Sequence, residues 1–187
     1  VGRITPEVQC HCVGVDNYGG ACEAVEHLIG AGHRRIGCIQ RLPHSWISEE
    51  RVRGYRDAHA RHGIPVDERL IVGDLYGQHN GYLETKRLLQ MDPMPTAVFA
   101  LSHLVTLGAL RALREHHLTV PSQMAVVGFD DLPNADYFDC PVTTVRQPVE
   151  EMASLAVSLL LEQIDSKGNV SPVLIKLPTE LVRRRSV

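Results

Sequence analysis

The chain has 187 residues, 44% hydrophobic and 22% charged, with a formal net charge of -3 at pH 7. That length supplies one sizeable core or two small lobes sharing an interface. The acidic balance, with no basic run longer than Arg183-Arg184-Arg185, excludes a general electrostatic grip on nucleic acid. No charged-then-apolar leader and no apolar run of membrane-spanning length is present, so the visible chain reads as soluble and without an export signal. Five cysteines without framework spacing fit a reducing cytoplasm better than a secreted disulfide module. Val1 in place of an initiator Met gives the expectation of a processed or partial chain.

Short β-rich apolar runs alternate with amphipathic segments, the pattern of βα units on a parallel sheet. Cys12 to Val15 reads as a strand, and Gly20 to Ala31 as a helix with Ala21, Val25, Leu28 and Ile29 on one face, stopped by Gly32. Ile36 to Ile39 is the next strand. Ser48 is placed to cap a helix with Glu49 and Glu50 in its first turn, ended by Gly63 before Pro65. Leu70 to Val72 reads as a strand and Asn80 to Met91 as a helix that Pro93 and Pro95 stop. Ala97 to Ala100 is a strand, Leu104 to His116 a helix, and Met124 to Phe129 a strand. Pro148 opens a helix with Met152, Leu155, Leu159 and Ile164 along one side, ending near Lys167-Gly168. Val173 to Leu177 and Glu180 to Val182, separated by Pro178, read as a terminal strand pair or one broken strand.

Polar residues follow one strand after another: Asp16 and Asn17, Gln40 and Arg41, Asp74, Ser102 and His103, Asp130 and Asp131. In open α/β sheets ligands sit beyond the carboxyl ends of strands, so this series points to a polar rim. An aspartate accepts from adjacent hydroxyls and an arginine donates a planar fork, a combination suited to sugars, nucleosides and other polyhydroxylated metabolites. Each such residue alone is equally explained as a helix cap.

The segments Glu50-Arg-Val-Arg-Gly-Tyr55, Pro95-Thr-Ala-Val-Phe-Ala100, Leu107-Gly-Ala-Leu-Arg-Ala-Leu113, Val126-Val-Gly-Phe-Asp-Asp131 and Thr143-Thr-Val-Arg-Gln-Pro148 occur in order. Together they resemble the effector-binding domain of LacI/GalR-type bacterial transcription regulators, from about Val13 to Val182. The resemblance implies an α/β, parallel-sheet fold of the periplasmic-binding-protein type I class, largely its C-terminal lobe with returning segments of the N-terminal lobe. On that mapping, residues 1–15 are a crossover strand from the N-terminal lobe and 16–142 the C-terminal lobe. Residues 143–170 are then a crossover and helix of the N-terminal lobe, and 171–187 a C-terminal strand segment. The first part of the N-terminal lobe and the DNA-binding headpiece are expected to lie outside this chain. Weak effector binding and uncovered apolar residues at Met152, Leu155 and Leu159 are expected in consequence.

The resemblance implies effector contacts from Arg51 and Asp130, with Leu75 or Tyr76 as a wall. Where the family commonly has Ala-Asn-Asp, this chain has Leu101-Ser102-His103, which puts Ser102 and His103 in place of an asparagine and points to an effector other than the common sugars, or to water filling the gap. Trp46, in a loop that lacks the glycines often found there, is a further candidate to stack on a sugar or base, or else a surface packing residue. Leu107, Tyr137 and Phe138 resemble the family's subunit interface, implying a homodimer. Operator DNA is expected as a partner only through a headpiece.

Signatures of common enzymes are missing: G-x-S-x-G, H-E-x-x-H, a phosphate loop and G-x-G-x-x-G do not occur. No catalytic residue, cofactor or metal is therefore assigned. Cys10-His11-Cys12 has thiolates and an imidazole, but neighbours in sequence reach one tetrahedral ion poorly and no second Cys/His pair matches. The expected function is that of a cytoplasmic, non-enzymatic effector-binding and dimerising domain of a LacI/GalR-like regulator. It would sense a sugar, nucleoside or similar small polar metabolite. The alternative is an exported solute-binding protein of the same fold.

Overall fold

The computed structural model describes residues 1–2, 10–132, 135, 139–166 and 171–187. Its elements are β1 (Cys12–Val15), α1 (Asn17–Gly30), β2 (Ile36–Ile39), α2 (Trp46–Arg61), β3 (Ile71–Val72) and α3 (Gln78–Leu89), followed by β4 (Ala97–Ala100), α4 (His103–Glu115) and β5 (Ala125–Phe129). The chain continues through β6 (Thr143–Arg146), α5 (Val149–Asp165), β7 (Leu174–Leu177) and β8 (Glu180–Val182). The strands form two sheets. Six lie in the order β3-β2-β4-β5-β6-β8, and β1 pairs with β7 in a second, two-stranded sheet. All pairings are parallel except β6 with β8.

The large sheet is buried on both faces, as its uninterrupted apolar strands require. One face carries α1 and α2, packed through Leu28, Tyr55, Phe99 and Phe129. The other carries α3 and α4, packed through Leu88, Val98, Leu113, Val126 and Met124. Sequential strands leave β2 in opposite directions: β3 lies on one side and β4 on the other. The carboxyl ends of β2 and β4 therefore flank a topological switch point, where an open α/β sheet has a crevice.

Several local expectations shift. α1 begins at Asn17, because Asp16 accepts a hydrogen bond from the Gly19 N–H at 2.8 Å and caps the helix earlier than Gly20. α2 begins at Trp46 with Ser45 as its cap, and Ser48 is instead a buried first-turn residue. Leu70 closes a short 3-10 turn ahead of β3. Pro148 is the N-cap of α5, one position before the expected site. Neither reading of the last strands holds, since β7 joins β1 in the small sheet while β8 joins β6 as the antiparallel edge of the large one.

On α5, Met152, Leu155 and Leu159 pack on Val13, Val15, Ile175 and Leu177 of the small sheet, so this helix docks within its own chain. Ile164 does not belong to that stripe and is 62% exposed. The expected helix end at Lys167-Gly168 lies outside the described residues.

Candidate functional site

Arg51 is the structural centre of the rim. The Glu50–Tyr55 segment, in the second and third turns of α2, is drawn against the sheet by buried Val52 and Tyr55, which carry Arg51 inward with them. Its side chain is only 2% exposed. A buried guanidinium needs partners on its donors. Nε donates to Asn17 Oδ1 at 2.8 Å, Nη1 to the Leu101 carbonyl at 2.7 Å, and Nη2 lies 3.5 Å from Asp130 Oδ1. The guanidinium also stacks 3.5 Å from the centre of the Phe129 ring. Burial pulls its pKa down to about 10, against the opposing attraction of Asp130, so it remains cationic at neutral pH.

Asp130 directly follows β5 in the left-handed region at φ 70, an uncommon conformation for a residue with a side chain. Its N–H still donates to the Val145 carbonyl at 2.9 Å, while Gln147 Nε2 donates to its carboxylate. His103 Nδ1 stands 4.0 Å from the second carboxylate oxygen, with the ring about half exposed. The left-handed backbone thus turns an acid toward three cationic or donating groups, those of Arg51, Gln147 and His103. Strain of this kind concentrates at binding sites because surrounding contacts must hold it.

The adjacent acid faces the opposite way. Asp131 accepts from Thr144 Oγ1 at 2.6 Å, and from Arg146 and Arg184, each with an approach of 2.8 Å. Burial alone would raise its pKa, but the hydrogen bonds from Arg184, Thr144 and Arg146 outweigh it and hold the carboxyl well below the usual carboxylate range. Asp131 therefore fastens β5 to β6 and β8, and Asp130 faces the rim.

The expected site residues are gathered unevenly. Arg51, Asp130 and His103 converge. Ser102 is largely buried, and its hydroxyl accepts from the Val105 N–H at 3.4 Å as the cap of α4. Leu75 and Tyr76 are exposed; the Tyr76 hydroxyl accepts from Arg41 Nη2 at 2.9 Å, and the Arg41 guanidinium stacks on its ring. Trp46 opens α2 beneath Lys176 of β7, whose Nζ is 5.4 Å from the ring centre. Leu107 is partly buried and lines a cavity with Leu110, Arg111, Leu118 and Val120 on the α4 side. Tyr137 and Phe138 lie outside the described residues.

Asn17, part of the expected strand-end series, joins the rim, and two participants outside that series join it too. Asn17 comes from the small sheet, so the rim joins the carboxyl ends of both sheets rather than successive strands of one. Gln147 follows β6 in the Thr143–Pro148 motif, and that position after a strand end was the available signal. The second is a carbonyl, Leu101 O, for which side-chain chemistry carries no signal. Among the described residues no group of three or more His, Cys, Asp or Glu is arranged to hold a metal.

A family profile described as a periplasmic binding protein-like domain matches residues 25–187. The chain belongs to that family. Its relatives are LacI-family transcriptional regulators. It is 38% identical to the HTH-type transcriptional regulator CelR of Thermobifida fusca over 97% of this chain and 53% of that protein. It is 34% identical to the HTH-type transcriptional repressor PurR of Actinobacillus pleuropneumoniae serotype 3 over 92% of this chain and 52% of that protein. The chain thus spans about half the length of these relatives. Its fold matches the structure of a transcriptional regulator CelR-cellobiose complex with a TM-score of 0.90 at 38% identity, covering 98% of this chain and 56% of that one. The expected parallel-sheet, periplasmic-binding-protein-like class is the fold observed.

Proposed function

We propose that this chain is the effector-sensing part of a LacI-family transcriptional regulator and that its rim binds a small polyhydroxylated metabolite. The observation that carries the reading is the buried Arg51 held against the outward-turned Asp130 at the carboxyl end of β5. Arg51 supplies fixed donors and Asp130 an acceptor for adjacent hydroxyls, while His103 stands where a further polar contact is available. Leu75 and Tyr76 provide exposed apolar surface beside the rim. The relative solved with cellobiose makes cellobiose the first compound to try.

The regulator reading is preferred to a solute-binding protein because the relatives in sequence are transcriptional regulators. In this reading the protein works in the cytoplasm, catalyses nothing and reaches operator DNA through a headpiece. No described helix is long and apolar enough to cross a membrane. A homodimer would use the face bearing Leu107, with sedimentation of Leu107→Asp as its test: a smaller species than the unaltered chain is expected, and an unchanged one removes this face.

The effector reading is tested by thermal shift and calorimetry with cellobiose, other sugars, nucleosides and polyols. A ligand of this class should stabilise the folded chain. Arg51→Met and Asp130→Asn, each first shown to be folded, should weaken it by about 1.5–3 kcal/mol, the scale of charge-assisted hydrogen bonds. Undiminished affinity in both variants would place the ligand elsewhere.

A further inference from the structure

Cys10-His11-Cys12 takes no part in the rim, yet its two thiols are already paired in space. Cys10 Sγ and Cys12 Sγ are 3.8 Å apart, a sulfur-to-sulfur hydrogen-bond contact. Cys10 is exposed and Cys12 half-buried, while all five cysteines of the chain are unbridged. The two differ in setting. Cys12 is fixed in β1, where its N–H donates to the Val173 carbonyl at 2.8 Å and it stands opposite Leu174. Cys10 lies before the strand in a bend.

That asymmetry suits an intramolecular bridge. Residues two apart in a straight strand are separated by roughly 6.6 Å at Cα, near the upper limit of about 6.8 Å for a disulfide. The bend leaves Cys10 free to close the remaining gap without unpairing Cys12. A ring spanning a single intervening residue is strained, and strained exposed disulfides belong to the readily reduced, regulatory kind rather than the permanent kind.

We infer that Cys10 and Cys12 form a reversible dithiol switch, oxidised to an intrachain disulfide by a low-molecular-weight disulfide. The exposed Cys10 thiolate attacks one sulfur of the oxidant, forming a mixed disulfide and releasing one small thiol. The Cys12 thiolate then attacks the Cys10 sulfur, closing the protein disulfide and releasing the second small thiol. Two protein thiols are oxidised, one small disulfide is reduced to two thiols, and each proton lost by a cysteine is taken up by a departing thiolate. The hydrogen bond to Cys12, aided by slight desolvation and the neighbouring charge of Cys12, raises the Cys10 pKa, so the reaction quickens as the solution becomes alkaline. The remaining cysteines provide internal controls: Cys22 and Cys38 are buried and Cys140 is half-buried, with burial raising the pKa of each.

The test treats the whole chain with oxidised glutathione, quenches it with an alkylating agent and reads intact and peptide masses. The expected product has lost two hydrogens and two alkylatable thiols, has the bridge within the peptide containing Cys10 and Cys12, stays single-chain, and regains both thiols with dithiothreitol. In Cys12→Ser the reaction should stop at a glutathione adduct on Cys10, since the resolving thiol is gone. The inference is overturned if both thiols stay alkylatable, if the adduct persists on Cys10 in the unaltered chain, or if the bridge forms to Cys140 or to a second chain.

Discussion

The two sheets of this protein obey different sequence rules. In the six-stranded sheet β2, β4 and β5 are buried at every position, with helices on both faces. In the two-stranded sheet β7 is mostly exposed, with only Leu177 buried, and α5 covers one side. α5 itself carries Val157, Leu160, Leu161 and Ile164 exposed among the described residues, and buries only Met152 fully. The contrast teaches where stability resides: the large sheet holds the cooperative core, whereas the small sheet holds its helix by a single apolar stripe. The rim draws on both, because Asn17 follows β1, whereas Arg51 lies on α2 against the large sheet and Asp130 follows its strand β5.

The largest effect should come from the large core. Phe99 is fully buried at the centre of β4, and Phe99→Ala is expected to destabilise by about 4 kcal/mol in chemical denaturation. A loss below about 1 kcal/mol would mean that the large sheet is not the dominant core.

A smaller effect is expected where β5 is fastened to β6 and β8. Asp131→Asn leaves Arg146 and Arg184 short of their shared carboxylate and should cost about 2 kcal/mol, discounted for partial exposure of the cluster. The folded carboxyl titrates below its unfolded value, so its contribution is fully present above the ordinary carboxylate range of about 3.9 and is lost as pH falls toward the folded value. The unaltered chain should therefore lose more stability on acidification than Asp131→Asn. Parallel acid-denaturation curves for the two would count against this role.

The smallest change is expected on the outer side of α5. Leu160→Gln removes an exposed side chain and should alter stability by less than about 0.5 kcal/mol. Hydrogen exchange sharpens the same contrast: amides of β1, β7 and α5 should exchange through local opening before those of β4 and β5. Equal protection throughout would erase the distinction between the two sheets.

Much of the fold is legible in the chain itself. Apolar runs such as Ala97–Ala100 and Ala125–Phe129 have to be inner strands, because no half-exposed surface accommodates them. Periodicity likewise placed α4 within one residue at its start. Boundaries failed where caps compete: Asp16 and Ser45 both precede the expected starts, and a side-chain oxygen accepting from a nearby N–H settles such contests only once the local backbone is formed. The family resemblance of the Glu50–Tyr55 segment brought forward Arg51, and Asp130 is visible both through that resemblance and as an acid after a buried strand.

What the sequence by itself determined is the class of elements, their order and the polar character of the strand ends, all consequences of local periodicity and side-chain chemistry. Tertiary structure alone decided the pairings: β7 and β8 are separated by two residues yet enter different sheets, and Asp130 and Asp131 are adjacent yet serve a rim and a clamp. The reason is geometric. A strand's neighbours depend on long-range backbone hydrogen bonds, and the φ of 70 at Asp130, held by Val145, Gln147 and Arg51, turns its side chain toward partners 79 and 17 residues away. No pattern of consecutive residues encodes those meetings.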